Sequence, residues 1–236
     1  MGAIREKVTN CVRRRPEQTF FGLLVALILL GFFGYDYYRA SEARSRYRAA
    51  LDAADRRDWK AVLASLKEAQ QIEADNPDHL LLAARAERRL ERLPVAEDIL
   101  KTCASKQGET QRIKVERALI RVHKGELTAV EPFLKSCLEQ NDPDAEEILD
   151  IYTAALELDT RFAEAQRLLD ELLRRRPNDF HVISRRGRAA RGMGWNEDAA
   201  KYYEQALALR PEENNVRLAL AEVQLALGRF GPARDN

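Results

Sequence analysis

The stretch "GWNEDAAKYYEQALALRP", residues 194–211, gathers a Trp, two adjacent Tyr, acids and a Lys. It reads either as a binding or catalytic site or as a packing rule. Ala199, Tyr203 and Ala206 fall at i, i+4 and i+7, on one face of a helix. Ala165, Leu169 and Leu172 repeat that pattern 34 residues earlier. Prolines 143, 177 and 211 recur at the same interval, and Pro77 lies 66 residues before Pro143. Each begins or follows a turn ("NPDH", "DPDA", "RPND", "RPEE"), because the residue before a proline is pushed out of the α region. A fixed period of 34 with two helices per period is the signature of a stacked helical repeat. In that frame Gly194 and "NED" make a turn and start a helix, and Pro211 closes the unit. Trp195 sits in the turn, as Trp59 does near an earlier one, and Lys201 and Tyr202 are left for the outer surface.

Composition agrees with helix. Of 236 residues, 45% are hydrophobic and 33% charged, with 11 Gly and 8 Pro. The net charge of +1 mixes both signs, and no like-charge block is long enough for a nucleic-acid tail. The three cysteines, Cys11, Cys103 and Cys137, form no CxxC pair, which argues against a disulfide scaffold or a zinc site.

On these residues the chain resembles the tetratricopeptide repeat (TPR) family. Counting from the first residue of each copy, Gly187, Gly194, Ala199, Tyr203, Ala206 and Pro211 occupy the family's positions 8, 15, 20, 24, 27 and 32 in copy 180–213. Copy 146–179 keeps Ala165, Leu169 and Pro177 but has Thr153 at the first glycine position. Copy 111–144 keeps Gly125 and Leu134, copy 77–110 keeps Ala84, Ala96 and Leu100, and copy 43–76 keeps Ala61 and Leu66. A partial copy, 214–236, carries Gly228 and Ala233. The family's Trp at position 4 is absent throughout. The resemblance implies an α-solenoid of about five helical hairpins over 43–236, in which neighbours bury one another's apolar faces. Cys103 and Cys137 both fall at position 27, with a helix between them, so two free buried thiols are expected.

Ahead of the repeats, residues 1–18 form a basic tail and 19–38 read as a single transmembrane helix. Thr19 to Tyr35 is a run of 17 uncharged residues, about 26 Å as a helix, at the lower limit for a bilayer core. Tyr35, Tyr37 and Tyr38 follow, with Arg39 behind them, the aromatic signature of a membrane interface. The basic residues Arg5, Lys7, Arg13, Arg14 and Arg15 slightly outnumber Arg39, Arg44, Arg46 and Arg48, which favours a cytoplasmic N-terminus. A cleaved signal peptide is the other reading of this segment.

No catalytic, cofactor or metal motif is present. His79, His123 and His181 are unpaired at i+4, and the glycines of "GRAARGMG", 187–194, fit repeat positions rather than a phosphate cradle. His123 precedes a repeat turn and reads as a surface residue. The resemblance implies that each first helix lines a concave groove through its second, fifth, ninth, twelfth and thirteenth residues. These are Asp78, Leu81, Arg85, Arg88 and Arg89; then Arg112, Val115 and Leu119; then Glu147, Asp150 and Glu157; then His181, Ser184, Arg188 and Arg191. They form two basic patches and an acidic stretch, either solvated and salt-bridged or holding an acidic or extended segment of a partner. The Lys and Asn pair that clamps a peptide carboxylate in some family members lacks its Asn here. At the C-terminal end Leu218, Leu220, Val223, Leu225 and Leu227 do not fit one narrow stripe, which suggests docking or further repeats.

The function expected is a membrane-anchored scaffold or adaptor for other proteins, not an enzyme, without cofactor and without nucleic acid. The layout is similar to bacterial inner-membrane proteins whose periplasmic TPR domain assists secretion or envelope assembly. Three alternatives stay open: an anchoring arm of an enzyme whose catalytic part lies elsewhere, a cytosol-facing TPR import receptor, and a secreted TPR protein.

Overall fold

The computed structural model describes the backbone of residues 16–229 and the side chains from residue 30 onward, apart from 33 and 36. The basic residues at 5–15, Cys11 and Ala233 lie outside the described residues. Among the described residues there are eleven α-helices and no strand. They are α1 (Pro16–Asp55), α2 (Trp59–Ile72), α3 (Pro77–Arg89), α4 (Leu93–Gln107), α5 (Gln111–His123), α6 (Leu127–Glu139), α7 (Ala145–Leu158), α8 (Phe162–Arg175), α9 (Phe180–Gly192), α10 (Asn196–Leu209) and α11 (Asn214–Ala226).

Two compact units divide at residues 107 and 108. The first contains α1–α4. Its core gathers Ala50 and Ala53 of α1, Val62 and Leu66 of α2, and Leu82, Ala83 and Ala86 of α3. An Arg46–Glu68 ion pair of 2.7 Å ties α1 to α2 across the hairpin. Asn76 caps α3 through the Asp78 amide at 3.0 Å, with Pro77 in the first helical position, where a missing N–H costs nothing.

The second unit contains α5–α11. One core cluster joins Val115, Leu119 and Val122 of α5, Leu134 and Cys137 of α6, and Ile148, Ile151 and Tyr152 of α7. Another joins Phe180, Ile183 and Ala190 of α9, Ala199, Tyr203 and Ala206 of α10, and Val216, Leu220 and Val223 of α11. The buried face read from residues 194–211 is therefore the buried face of α10. Asp179 caps α9 by accepting from the His181 and Val182 amides at 2.8 and 3.3 Å.

The turn inside each hairpin is built the same way six times. Arg57, Glu91, Gly125, Thr160, Gly194 and Gly228 all have φ between +58° and +81°. In each, the following amide reaches back to a carbonyl of the last helical turn, as Trp195 N does to Ala190 O at 2.9 Å and Arg161 N to Leu156 O at 2.8 Å. This is a Schellman closure, which favours glycine in the left-handed position. Only three of the six turns have it.

The hairpins depart from the expected layout in one respect. α1 does not stop at the end of the 19–38 segment but continues unbroken through residue 55. Residues 39–55, "RASEARSRYRAALDAAD", contain no Gly or Pro and are rich in helix formers, so nothing interrupts the helix. The same helix thus supplies the first helix of the first hairpin. Among the described residues no helix is long and apolar enough to cross a membrane. The side chains of 19–29, most of the expected span, are not among them.

Both expected free thiols are found: Cys103 and Cys137 are buried and unbonded to one another. They are not merely apolar filler. Cys103 Sγ donates to the Pro77 carbonyl at 3.6 Å, and Gln111 Nε2 donates to Cys137 Sγ at 3.3 Å. Burial pushes the Cys137 thiol up, reinforced by the nearby Asp142 carboxylate.

Candidate protein-binding face

The residues assigned to the groove divide sharply once their surroundings are known. In the first unit Arg88 is fully buried, Arg85 is half-buried, and Arg89 lays its guanidinium over the Trp59 ring at 5.4 Å. Leu81 is buried. Asp78 is exposed, so Asp78, Arg85 and Arg89 of this group present charge toward an accessible face.

In the second unit Asp150 and Glu157 are buried, and both are consumed by a residue outside the expected set. Arg185 of α9 donates through Nη1 to Asp150 Oδ1 at 2.7 Å and to the Asp150 carbonyl at 3.0 Å. Its Nε donates to Glu157 Oε1 at 2.7 Å, and its Nη2 to the Thr153 hydroxyl. Asp150, Thr153 and Glu157 are spaced i, i+3 and i+7, so α7 offers three acceptors on one face to one guanidinium. Arg188 adds a longer contact to Glu157 at 3.6 Å. Asp150 and Glu157, at positions 5 and 12 of copy 146–179, thus form part of a seam with α9 and not an open groove.

The other expected residues lie nearer the surface. Arg112 faces Asp144 at 3.5 Å, Glu147 and His181 are half-buried, and the His181 ring meets Phe180 edge-on at 5.2 Å. Arg188 and Arg191 are exposed, and Arg191 pairs with Glu222 of α11. His123 is exposed, as read from its turn. Tyr202, expected outside, is half-buried under the Arg186 guanidinium at 4.9 Å, because Arg186 is itself held by Asp170 at 2.6 Å. Trp195 is half exposed.

A second charged network was not foreseen. Arg161, in the α7–α8 turn, donates twice to Glu131 of α6 at 2.9 and 2.8 Å and twice to Glu164 of α8 at 2.7 Å. Tyr152 donates to Glu131 at 2.7 Å, and Lys135 lies 2.8 Å from the same carboxylate. The Arg161 guanidinium, helped by Lys135 and Tyr152, holds the Glu131 carboxyl far below the usual range. Burial, then the Glu131 carboxylate, pushes the Tyr152 phenol up. A cavity of about 320 Å³ opens beside this network, lined by Lys135, Leu138, Glu139, Tyr152, Glu164, Arg167 and Leu168. One sequence signal could have found Arg161. Arginine follows the left-handed turn residue at 92, 161 and 229, and Arg229 likewise reaches Glu197 of α10, at 2.9 Å. No sequence signal of comparable strength singles out Arg185 among its neighbours Arg186 and Arg188.

Among the described residues, no group of three or more His, Cys, Asp or Glu side chains is placed to hold a metal ion. The described helices therefore define a protein of stacked α-helical hairpins, with charged seams between first helices and a partly exposed basic rim. A family model described as tetratricopeptide repeat matches residues 190–235, and helical hairpins of the same architecture lie upstream of the match. No curated protein matches its sequence. In fold it is similar to PilW, a widely conserved type IV pilus biogenesis factor, at 15% identity and a TM-score of 0.62, over 82% of this chain and 89% of that one. It is also similar to pilF of Pseudomonas aeruginosa, at 12% identity and a TM-score of 0.59, over 84% and 89%. Human IFIT1, in a dimer with m7Gppp-AAAA, gives 16% identity and a TM-score of 0.59 over 75% of this chain, which spans 45% of IFIT1. At these identities the likeness is one of fold.

Proposed function

We propose that this protein is a non-catalytic, membrane-anchored adaptor that holds a partner protein beside a bilayer. The observation that carries the reading is α1. Its sequence is apolar and uncharged from 19 to 35, and its last residues are already the first helix of the first hairpin. A helix of 40 residues is about 60 Å long. That is enough to cross a hydrocarbon core of about 30 Å and still pack against α2. Phe32, Tyr35, Tyr37 and Tyr38 are exposed between the apolar run and the repeats, and Arg39 lies over the Tyr35 ring at 5.8 Å. Such a belt suits an interface between lipid and water. The favoured orientation keeps the N-terminus in the cytoplasm and the repeats on the far side, in a bacterial envelope the periplasm. The likeness in fold to a pilus biogenesis factor supports a role in secretion or envelope assembly.

The partner is engaged through charges that remain accessible within a unit: Arg85 and Arg89 form one such patch in the first unit, and the exposed Arg188 forms another in the second. An acidic or extended segment complements them. Two measurements test the proposal. Alkaline extraction of membranes leaves the full chain in the pellet, and a periplasm-active reporter fused after residue 236 is active; release into the supernatant refutes the anchor. Double charge reversal, Arg85→Glu with Arg188→Glu, removes a partner cross-linked in native membranes; unchanged cross-linking refutes the basic rim.

A further inference from the structure

The cavity beside the Arg161 network has an apolar floor and a charged mouth. The floor is Leu138 of α6, Leu168 of α8 and the Tyr152 ring of α7. Leu138 and Leu168 each pack against two core clusters, which holds them in place. Arg161 grips Glu131 on α6 and Glu164 on α8, and the Tyr152 hydroxyl donates to Glu131. One guanidinium thus ties together the helices that frame the cavity, so the cavity is formed before anything enters it. Its volume of about 320 Å³ lies at the lower end of the ~300–1,000 Å³ range for small-molecule sites.

The charges at the mouth fall into two sets. In the first, the cations Arg161 and Lys135 face the acids Glu131 and Glu164. Arg161 holds both carboxyls below their usual range, so both are ionised at neutral pH and the four groups sum to zero. The second set is Arg167 of α8 and Glu139 of α6. Both line the cavity and are exposed, and among the described residues neither has an ion-pair partner. One cavity therefore offers a cation from α8, an acid from α6 and an apolar floor.

We propose that this cavity binds a free apolar α-amino acid as its zwitterion. The ligand's carboxylate pairs with the Arg167 guanidinium and its ammonium with the Glu139 carboxylate. Its side chain lies on Leu138, Leu168 and the Tyr152 ring. A guanidinium takes a carboxylate in two parallel hydrogen bonds, and an ammonium brings three donors to an acid. A simple anion meets only Arg167, a simple cation only Glu139, and an uncharged apolar molecule only the floor. The zwitterion meets all three. None of these residues lies at the second, fifth, ninth, twelfth or thirteenth position of a repeat copy, so the site is separate from the groove and from the basic patches proposed for a partner protein.

The probe is para-fluoro-L-phenylalanine, titrated with the full protein in detergent and followed by fluorine NMR. Saturable binding is expected, weakened at least about threefold by Arg167→Gln or by Glu139→Gln. Both positions are exposed, and circular dichroism verifies that the variants are folded. Arg174→Gln removes another exposed cation of α8 and leaves binding unchanged. Two derivatives of the probe test the zwitterion. The N-acetyl form lacks the ammonium and the amide lacks the carboxylate, and each binds more weakly than the amino acid. Glu139→Gln weakens the N-acetyl form no further, and Arg167→Gln weakens the amide no further, because the ligand has already lost the matching charge. Absence of saturable binding overturns the proposal, as does binding that neither Arg167→Gln nor Glu139→Gln changes. An effect of Arg174→Gln as large as that of Arg167→Gln also overturns it, since net charge is then the cause. An N-acetyl form bound as tightly as the amino acid assigns the cavity to an anion or to the C-terminal residue of a peptide. An amide bound as tightly assigns it to the N-terminal residue of a peptide. Either result overturns a free amino acid as the occupant.

Discussion

The hairpins α7–α8 and α9–α10 have the same architecture and opposite chemistry. α9–α10 keeps the family pattern, with Gly187 in the helix contact and Gly194 in the turn. α7–α8 has Thr153 and Thr160 at those two places and begins one residue earlier, at Ala145. In α9–α10 the small residue makes room for a large one, and a Cβ added to Gly187 would lie 2.7 Å from the Tyr203 ring. In α7–α8 the equivalent pair is Thr153 and Leu169, a larger residue facing a smaller one. Thr153 also does what glycine cannot. Its hydroxyl donates to the Leu149 carbonyl at 2.6 Å and accepts from Arg185. The departure from pattern is therefore tied to the ionic seam. A hairpin of this kind tolerates loss of the glycine when the opposing residue shrinks and the new hydroxyl finds partners.

Breaking the seam should have the largest effect. Arg185→Ala leaves Asp150 and Glu157 buried without their cation, and losing one partner of a buried ion cluster costs about 3–5 kcal/mol. A fall in the urea midpoint of the full chain in detergent, with an unchanged denaturant slope, checks it. A loss under about 1 kcal/mol would mean that water or Arg188 replaces the guanidinium, and the two hairpins would differ less than their contacts indicate.

The size exchange comes next. Gly187→Thr forces the Tyr203 ring to move and should cost about 1–3 kcal/mol, the range for overpacking a core. Adding Tyr203→Leu converts the contact to the pair found in α7–α8 and should recover a measurable part of that loss. A double-mutant cycle measures the coupling, and strict additivity would show that the two positions do not compensate.

The turn gives the smallest effect. Thr160 sits at φ +58°, a conformation that is costly for a β-branched residue. Thr160→Gly should raise stability by roughly 1 kcal/mol, offset in part by the greater freedom of glycine in the unfolded chain. The converse change, Gly194→Thr, should lower it by a similar amount. Thermal melts of both variants decide whether the α7–α8 turn carries the strain that α9–α10 avoids.

Much of the repeat was legible because its signals are local and periodic. The Ala199, Tyr203 and Ala206 stripe, the turn glycines and the prolines each act within one or two helical turns, so spacing alone exposes them. Arg161 was legible in principle, from its recurrence at 92, 161 and 229. The roles of Arg185, Arg186 and Arg188 were not. Three arginines within four residues look alike in sequence, and a rotation of about 100° per residue sends them to different neighbours. One enters the α7 seam, one crosses to Asp170 and Tyr202, and one faces outward. Asp150, Glu157 and Arg88, among the groove positions that the resemblance implies, are buried for the same reason, since whether a residue is accessible depends on what the next helix brings to it.

By itself, the sequence determined the all-α class, the 34-residue period, the phase of each buried stripe and the two free thiols, because hydrophobic spacing and turn chemistry act along the chain. Only the tertiary structure decided which acids are consumed by Arg185, and that Leu218 and Leu225 stand open where Val115 and Val122 are covered. Those outcomes depend on pairings between helices about 30 residues apart, where the partner's identity and not the residue's own type sets whether a charge is buried, bridged or free.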